Sequence, residues 1–108
     1  FKILAMKQTR LPEAVAKEFY AEHAEKGFFG ELIDYMTSGP VVVAVLEKEN
    51  GIKDLRTLMG ATNPADADEG TIRKLYGESI SFNAIHGSAN AEDAAREVNF
   101  FFGSSDLL

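Results

Sequence analysis

The sequence predicts an α/β fold in the broad sense, α/β or α+β, and three observations carry that reading. A β-branched apolar run, Val41-Val42-Val43-Ala44-Val45-Leu46, reads as a buried strand. Val15, Ala16, Phe19 and Tyr20 recur at helical spacing. Strand-like and helix-like segments interleave with no repeat, linker or low-complexity tract, which implies one core and a single domain over residues 1–108.

Phe1 to Thr9 is apolar, suited to two faces and strand-like. Leu11-Pro12-Glu13 has the form of a helix start, because proline is tolerated in the first turn and an acid there complements the helix dipole. That helix is expected to run to Gly27. Phe29 to Met36 predicts a second helix, ended by Ser38-Gly39-Pro40. After the Val41–Leu46 strand, Asn50-Gly51 marks a turn or the cap of a helix from Ile52 to Leu58. Gly60 to Gly70 reads as an open polar loop and Thr71 to Tyr76 as one or two helical turns. Ser79 to Ile85 predicts a short third strand, and Asn90 caps a last helix from Ala91 to about Phe102. Three strands make a thin sheet. The chain opens directly in a strand without an initiator methionine, which suggests a longer N-terminus.

The formal charge of −6 argues against a nucleic-acid face or a polybasic membrane anchor, because a polyanion is repelled over most of the surface. A nucleotide needs only a few local cations and is not excluded. Without cysteine, disulfide scaffolds, thiol catalysis and Cys-based zinc sites are ruled out. No cationic-then-apolar leader opens the chain, and its longest apolar run is far short of the roughly 20 residues of a membrane helix. A reducing, cytoplasmic setting is the expectation.

The segment with chemical content is Asn83-Ala84-Ile85-His86-Gly87-Ser88-Ala89-Asn90, followed by the helix that bears Glu97. His86 falls at a strand-to-helix junction beside Gly87, which permits close approach to the backbone. Glu97 is seven residues past Asn90, and seven steps of about 100° return it to within roughly 20° of the cap's face. A carboxylate there can turn back and fix the tautomer of His86. Spacing alone also admits a loop histidine and a solvated glutamate. Arg56, with Thr62 beyond it, and Arg73 offer cations on separate elements, each of which on its own also reads as a surface arginine. Phe28-Phe29 is a core pair, or leaves one ring out for stacking. Tyr20 reads as core, and His23 as a half-exposed residue without a role.

Asn83-Ala84-Ile85-His86-Gly87-Ser88 resembles the N-x-x-H-G-S motif of nucleoside diphosphate kinases. Other segments agree in order: Phe19-Tyr20 with Phe28-Phe29, Tyr35-Met36-Thr37-Ser38-Gly39-Pro40, Met59-Gly60-Ala61-Thr62-Asn63-Pro64, and Gly70-Thr71-Ile72-Arg73. The resemblance implies a ferredoxin-like α/β sandwich, an antiparallel sheet covered by helices. It implies ping-pong transfer of the γ-phosphate of a nucleoside triphosphate to a nucleoside diphosphate through Nδ1 of His86. Glu97 would orient the histidine, with Ser88 beside it. Arg56, Thr62 and Arg73 would hold phosphates, and Tyr20 would reach them near the histidine. Asn83 would contact the sugar 3′-hydroxyl, and Phe28 and Ile80 would flank the base. Mg²⁺ would arrive on the nucleotide phosphates and not in a protein cage. A homo-oligomer, tetramer or hexamer, is implied, with Gly60 to Gly70 contributing contacts.

Two departures stand beside the resemblance. The family's first strand, with its K-P-D-A-type lysine motif, and the following helix have no counterpart here. An absent interior strand leaves backbone groups and core side chains of its neighbours uncovered, so the 108 residues alone are expected to be poorly stable, or to represent the ordered or retained part of a longer chain. Where the family commonly reads H-G-S-D-S, this chain has His86-Gly87-Ser88-Ala89-Asn90, which removes an acid but keeps a helix cap. The alternative function is therefore a truncated, catalytically weak nucleotide-binding or assembly component of the same fold.

Overall fold

The computed structural model describes residues 1–108. Strand β1 (Lys2–Thr9) pairs antiparallel with β2 (Val41–Glu47), from Lys2 opposite Glu47 to Thr9 opposite Val41, with a register shift between Ile3 and Ala5. Between them run helices α1 (Glu13–Phe19) and α2 (Phe29–Met36), joined by a 3₁₀ turn over Ala21–His23. Helices α3 (Gly51–Met59), α4 (Ile72–Tyr76) and α5 (Ala91–Phe101) follow β2. No helix is long and apolar enough to cross a membrane.

Local signals explain most boundaries. Glu13 and Lys17 form an i,i+4 ion pair at 2.9 Å along α1. The Thr37 hydroxyl donates to the Ile33 carbonyl at 2.8 Å, closing α2 before Pro40. The Thr71 and Asn90 side chains accept from the backbone N–H groups of Lys74 and Asp93, capping α4 and α5. The main core joins Leu11, Ala16, Phe19, Tyr20 and Ile33 to Val41 of the sheet and to Phe100 and Phe101 of α5.

Three expectations fail. The first helix stops at Phe19, not Gly27, because Tyr20 leaves α geometry (φ −98°, ψ 20°) and the chain tightens into the 3₁₀ turn. Strand β2 is not buried on both faces: Val41, Val43 and Val45 are half-buried, while Val42 on the other face is 65% exposed. No third strand forms over Ser79–Ile85, and the sheet has two strands. A strand needs a neighbour for its hydrogen bonds, and here the carbonyl of Ile85 is taken by the Arg73 side chain. Ala84, at φ 77°, is also outside strand geometry.

A cleft of about 2430 Å³ has the whole of Val41–Lys48 and Ile80 to Ala91, except Phe82, among its lining residues. A pocket for one small ligand holds roughly 300–1,000 Å³, so this opening is wider than a nucleotide alone requires.

Candidate functional site

His86 follows the irregular segment and is placed by packing from α1. Phe19 and Tyr20 both meet its ring edge-on, with centroids 5.5 and 5.7 Å away and planes at 79° and 86°. The His86 side chain remains 34% exposed. Gly87 is required by a close approach: a Cβ there would stand 2.7 Å from Sδ of Met59, at the buried end of α3. The sequence suggested an approach to this glycine, and the approaching group is a core methionine.

The His86 ring is oriented from α5. Nε2 stands 2.8 Å from Oε1 of Glu97, and the Ser88 hydroxyl donates to the same oxygen at 2.8 Å. A carboxylate has no hydrogen to give, so Nε2 carries it, and the tautomer that results leaves the lone pair on Nδ1. Glu97 is buried with its side chain 10% exposed, and its other oxygen lies 3.3 Å from Nη2 of Arg96. The reading of a solvated helix glutamate is excluded by this burial and by these contacts. Tyr20 is 5% exposed; burial, and then the charge of Glu97, raise its hydroxyl above the ordinary phenol value.

The phosphate-reading candidates fall into two groups. Arg56 on α3 and Thr62 beyond it are exposed, and the Asn83 amide donates to the Thr62 carbonyl at 3.3 Å. Arg73 on α4 is 7% exposed and donates to the carbonyls of Gly60 (3.1 Å) and Ile85 (2.9 Å). Its burial, then the nearby charge of Arg56, lower its value from that of a free guanidinium. Arg73 thus braces the end of α3 against the histidine segment. Phe28 is half-buried with its ring 5.9 Å from His23, and Ile80 is exposed; both line the cleft.

Sequence reasoning missed three contributors. Phe19 is placed at helical spacing and in the segment shared with Tyr20 but is given no role, yet its ring supports His86. Arg96 was not singled out; its only signal is an opposite charge beside Glu97. His23 lies beside Tyr20, 6.5 Å between ring centroids, and its Nδ1 is buried without a partner. Burial is the largest cause that lowers its value, with Lys26 next and Glu22 opposing. No group of three or more His, Asp and Glu side chains is arranged to share a metal ion.

Comparison with known proteins gives one answer. A family model described as nucleoside diphosphate kinase matches residues 1–107. The chain is 55% identical over 108 residues to the nucleoside diphosphate kinase of Chlorobium limicola and 56% identical to that of Chlorobaculum tepidum. In both cases the match covers all of this chain and 77% of the relative. Among solved structures, the Aquifex aeolicus nucleoside diphosphate kinase superposes with a TM-score of 0.96 at 40% identity, over 100% of this chain and 79% of that one. A halophilic nucleoside diphosphate kinase from Halobacterium salinarum, solved in complex with CDP, has a TM-score of 0.91 at 43% identity, over 99% of this chain and 72% of that one. These neighbours carry the ferredoxin-like α/β fold that the sequence resemblance implied. The chain belongs to the nucleoside diphosphate kinase family of phosphotransferases.

Proposed function

We propose that this chain transfers the γ-phosphate of a nucleoside triphosphate to a nucleoside diphosphate through a phosphohistidine on His86. The observation that carries the reading is the 2.8 Å contact between Nε2 of His86 and Oε1 of Glu97, which directs the free lone pair to Nδ1. In the first step that lone pair attacks the γ-phosphorus, the bond to the bridging oxygen breaks, and the nucleoside diphosphate leaves with the electron pair. In the second step a terminal phosphate oxygen of the acceptor attacks the phosphohistidine, the N–P bond breaks, and Nδ1 recovers its lone pair. Glu97 stabilises positive charge that develops on the ring.

Arg56 and Thr62 are exposed and available to phosphate oxygens. Arg73 adds positive charge beside them; Nη1 and Nη2 each give an N–H to a carbonyl, and Nε is among the donors left without a partner. Asn83, tethered to the Thr62 carbonyl, is the candidate for the sugar 3′-hydroxyl. Phe28 and Ile80, both on the cleft, are the candidates for the base. Mg²⁺ belongs to the substrate, carried on its phosphates, since the carboxylate nearest His86 is already engaged by His86, Ser88 and Arg96. Exposed apolar side chains on α4, Leu75 and Tyr76, suit a symmetric homo-oligomer.

The test is incubation with γ-labelled ATP and Mg²⁺, followed by a chase with GDP. Acid-labile label that is absent in His86→Ala and moves to GDP supports the mechanism. An unlabelled wild type overturns it in favour of a catalytically weak nucleotide-binding relative.

A further inference from the structure

We propose that Arg96 is a positioning residue for His86: it holds one oxygen of Glu97 and thereby keeps the other on the imidazole. The proposal rests on the phosphohistidine reading. Neighbouring residues on a helix point about 100° apart and do not face one another. Arg96 nonetheless folds back on its neighbour, placing Nη2 3.3 Å from Oε2 of Glu97. The same nitrogen is 3.9 Å from Oδ1 of Asp93, a turn earlier on α5, and 3.8 Å from Oε1 of Glu22 on the 3₁₀ turn.

One cation therefore stands among three carboxylates from two elements, and none of the three has another Lys or Arg within 4.0 Å. Glu97 is the least exposed of them, at 10% against 27% and 52%, so it is the least able to turn to water when the cation is removed. The terminal torsion of a glutamate is broad and two-fold, so one anchored oxygen does not fix the carboxylate plane. Ser88 and His86 hold Oε1 and Arg96 holds Oε2, so together they fix it. Arg96 itself is 45% exposed, where an ion pair is screened and adds little to stability. Its effect belongs in the rate of histidine phosphorylation and not in the melting temperature.

The experiment is single-turnover phosphorylation of the full chain by γ-labelled ATP with Mg²⁺. Arg96→Ala is expected to lower the limiting rate about tenfold while half-saturating ATP stays within about twofold, the split of a group acting on the reacting ring and not on binding. Arg96→Lys, which retains the charge, recovers most of the rate. In a Glu97→Ala background, which removes both contacts of residue 97, Arg96→Ala has no further effect, because its only route to His86 is gone. A wild-type rate in Arg96→Ala, a loss that Lys does not recover, or a loss that adds to Glu97→Ala overturns the proposal. A wild type that carries no label overturns the phosphohistidine reading first, which a labelled wild type with an unaffected Arg96→Ala does not.

Discussion

Phe19 and His86 are packed edge to face, 5.5 Å between centroids, although one ends a helix and the other follows an irregular segment far along the chain. Tyr20, the very next residue, meets the same imidazole. Two successive residues of a regular helix diverge by about 100°. Tyr20 departs from α geometry at the end of α1, and both rings reach one partner. The histidine is thus held by apolar contacts on its ring and by Glu97 at Nε2, with Nδ1 left for chemistry.

Replacing Glu97 by Gln keeps the shape and removes the charge that accepts from Nε2 and from Ser88. Hydrogen bonds to charged groups contribute about 1.5–3 kcal/mol. If that contribution is realised in the transition state, the rate of His86 phosphorylation falls on the order of 10- to 100-fold. Ser88→Ala is expected to cost less, since Glu97 retains its contact with the histidine. Rapid-quench measurement of the labelled enzyme checks both, and an undiminished rate in Glu97→Gln removes the orienting role.

Tyr20 gives a pH prediction with a definite sign. Burial and the charge of Glu97 raise its folded value, while an unfolded tyrosine ionises near pH 10. Above about pH 10 the unfolded state has lost a proton that the folded state keeps, so stability falls as pH rises toward the folded value. Below pH 10 the contribution is fully present. Tyr20→Phe removes this linkage, so urea unfolding of the variant should lose midpoint more slowly than wild type between about pH 10 and 11. Parallel declines would show that Tyr20 is not protected in the fold.

Elements with local signals were legible in the sequence. Asn90 three residues before Asp93 named a cap, and the structure has that hydrogen bond at 2.8 Å. Val41–Leu46 named a strand, but not its exposure, because periodicity cannot say what covers the second face. Ser79–Ile85 has strand-like composition and no strand partner, and partners are a non-local fact. The His86–Glu97 pair could be inferred from helical arithmetic forward from Asn90, since it joins a loop to a helix face. Arg96 escaped the same arithmetic because a helical wheel points it away from Glu97, and only a long side chain folding back brings them together. Arg73 was legible as a cation but not as a brace, because its two carbonyl partners lie on different segments.

That brace is testable by stability. Arg73→Ala leaves the carbonyls of Gly60 and Ile85 without their donors and is expected to cost about 2–4 kcal/mol. Arg73→Lys keeps the charge but cannot span both carbonyls, and about 1–2 kcal/mol is expected. Urea titration of both variants decides the matter. If Arg73 served phosphates alone, Lys would leave the unfolding midpoint where it was and weaken only nucleotide binding.

Gly60 and Gly70 separate backbone strain from close packing. Both have positive φ, 89° and 84°, where a Cβ is disfavoured by roughly 1–3 kcal/mol, and Gly60, with ψ −179°, is in a region that essentially only glycine adopts. Beyond that they differ. A Cβ on Gly70 meets nothing within 4 Å, whereas one on Gly60 stands 2.5 Å from Oγ1 and 2.8 Å from Cβ of Thr71. Thr71 is buried, donates to the Asp68 carbonyl at 2.7 Å and caps α4 by accepting from the N–H of Lys74. It cannot swing away without releasing the start of α4, the helix that carries Arg73 to Ile85. Gly70→Ala is therefore expected to incur only the strain. Gly60→Ala incurs strain and loses the cap as well, making it less stable than Gly70→Ala by at least about 1 kcal/mol. Equal unfolding midpoints for the two variants would mean that Thr71 yields freely and that α4 does not depend on its cap.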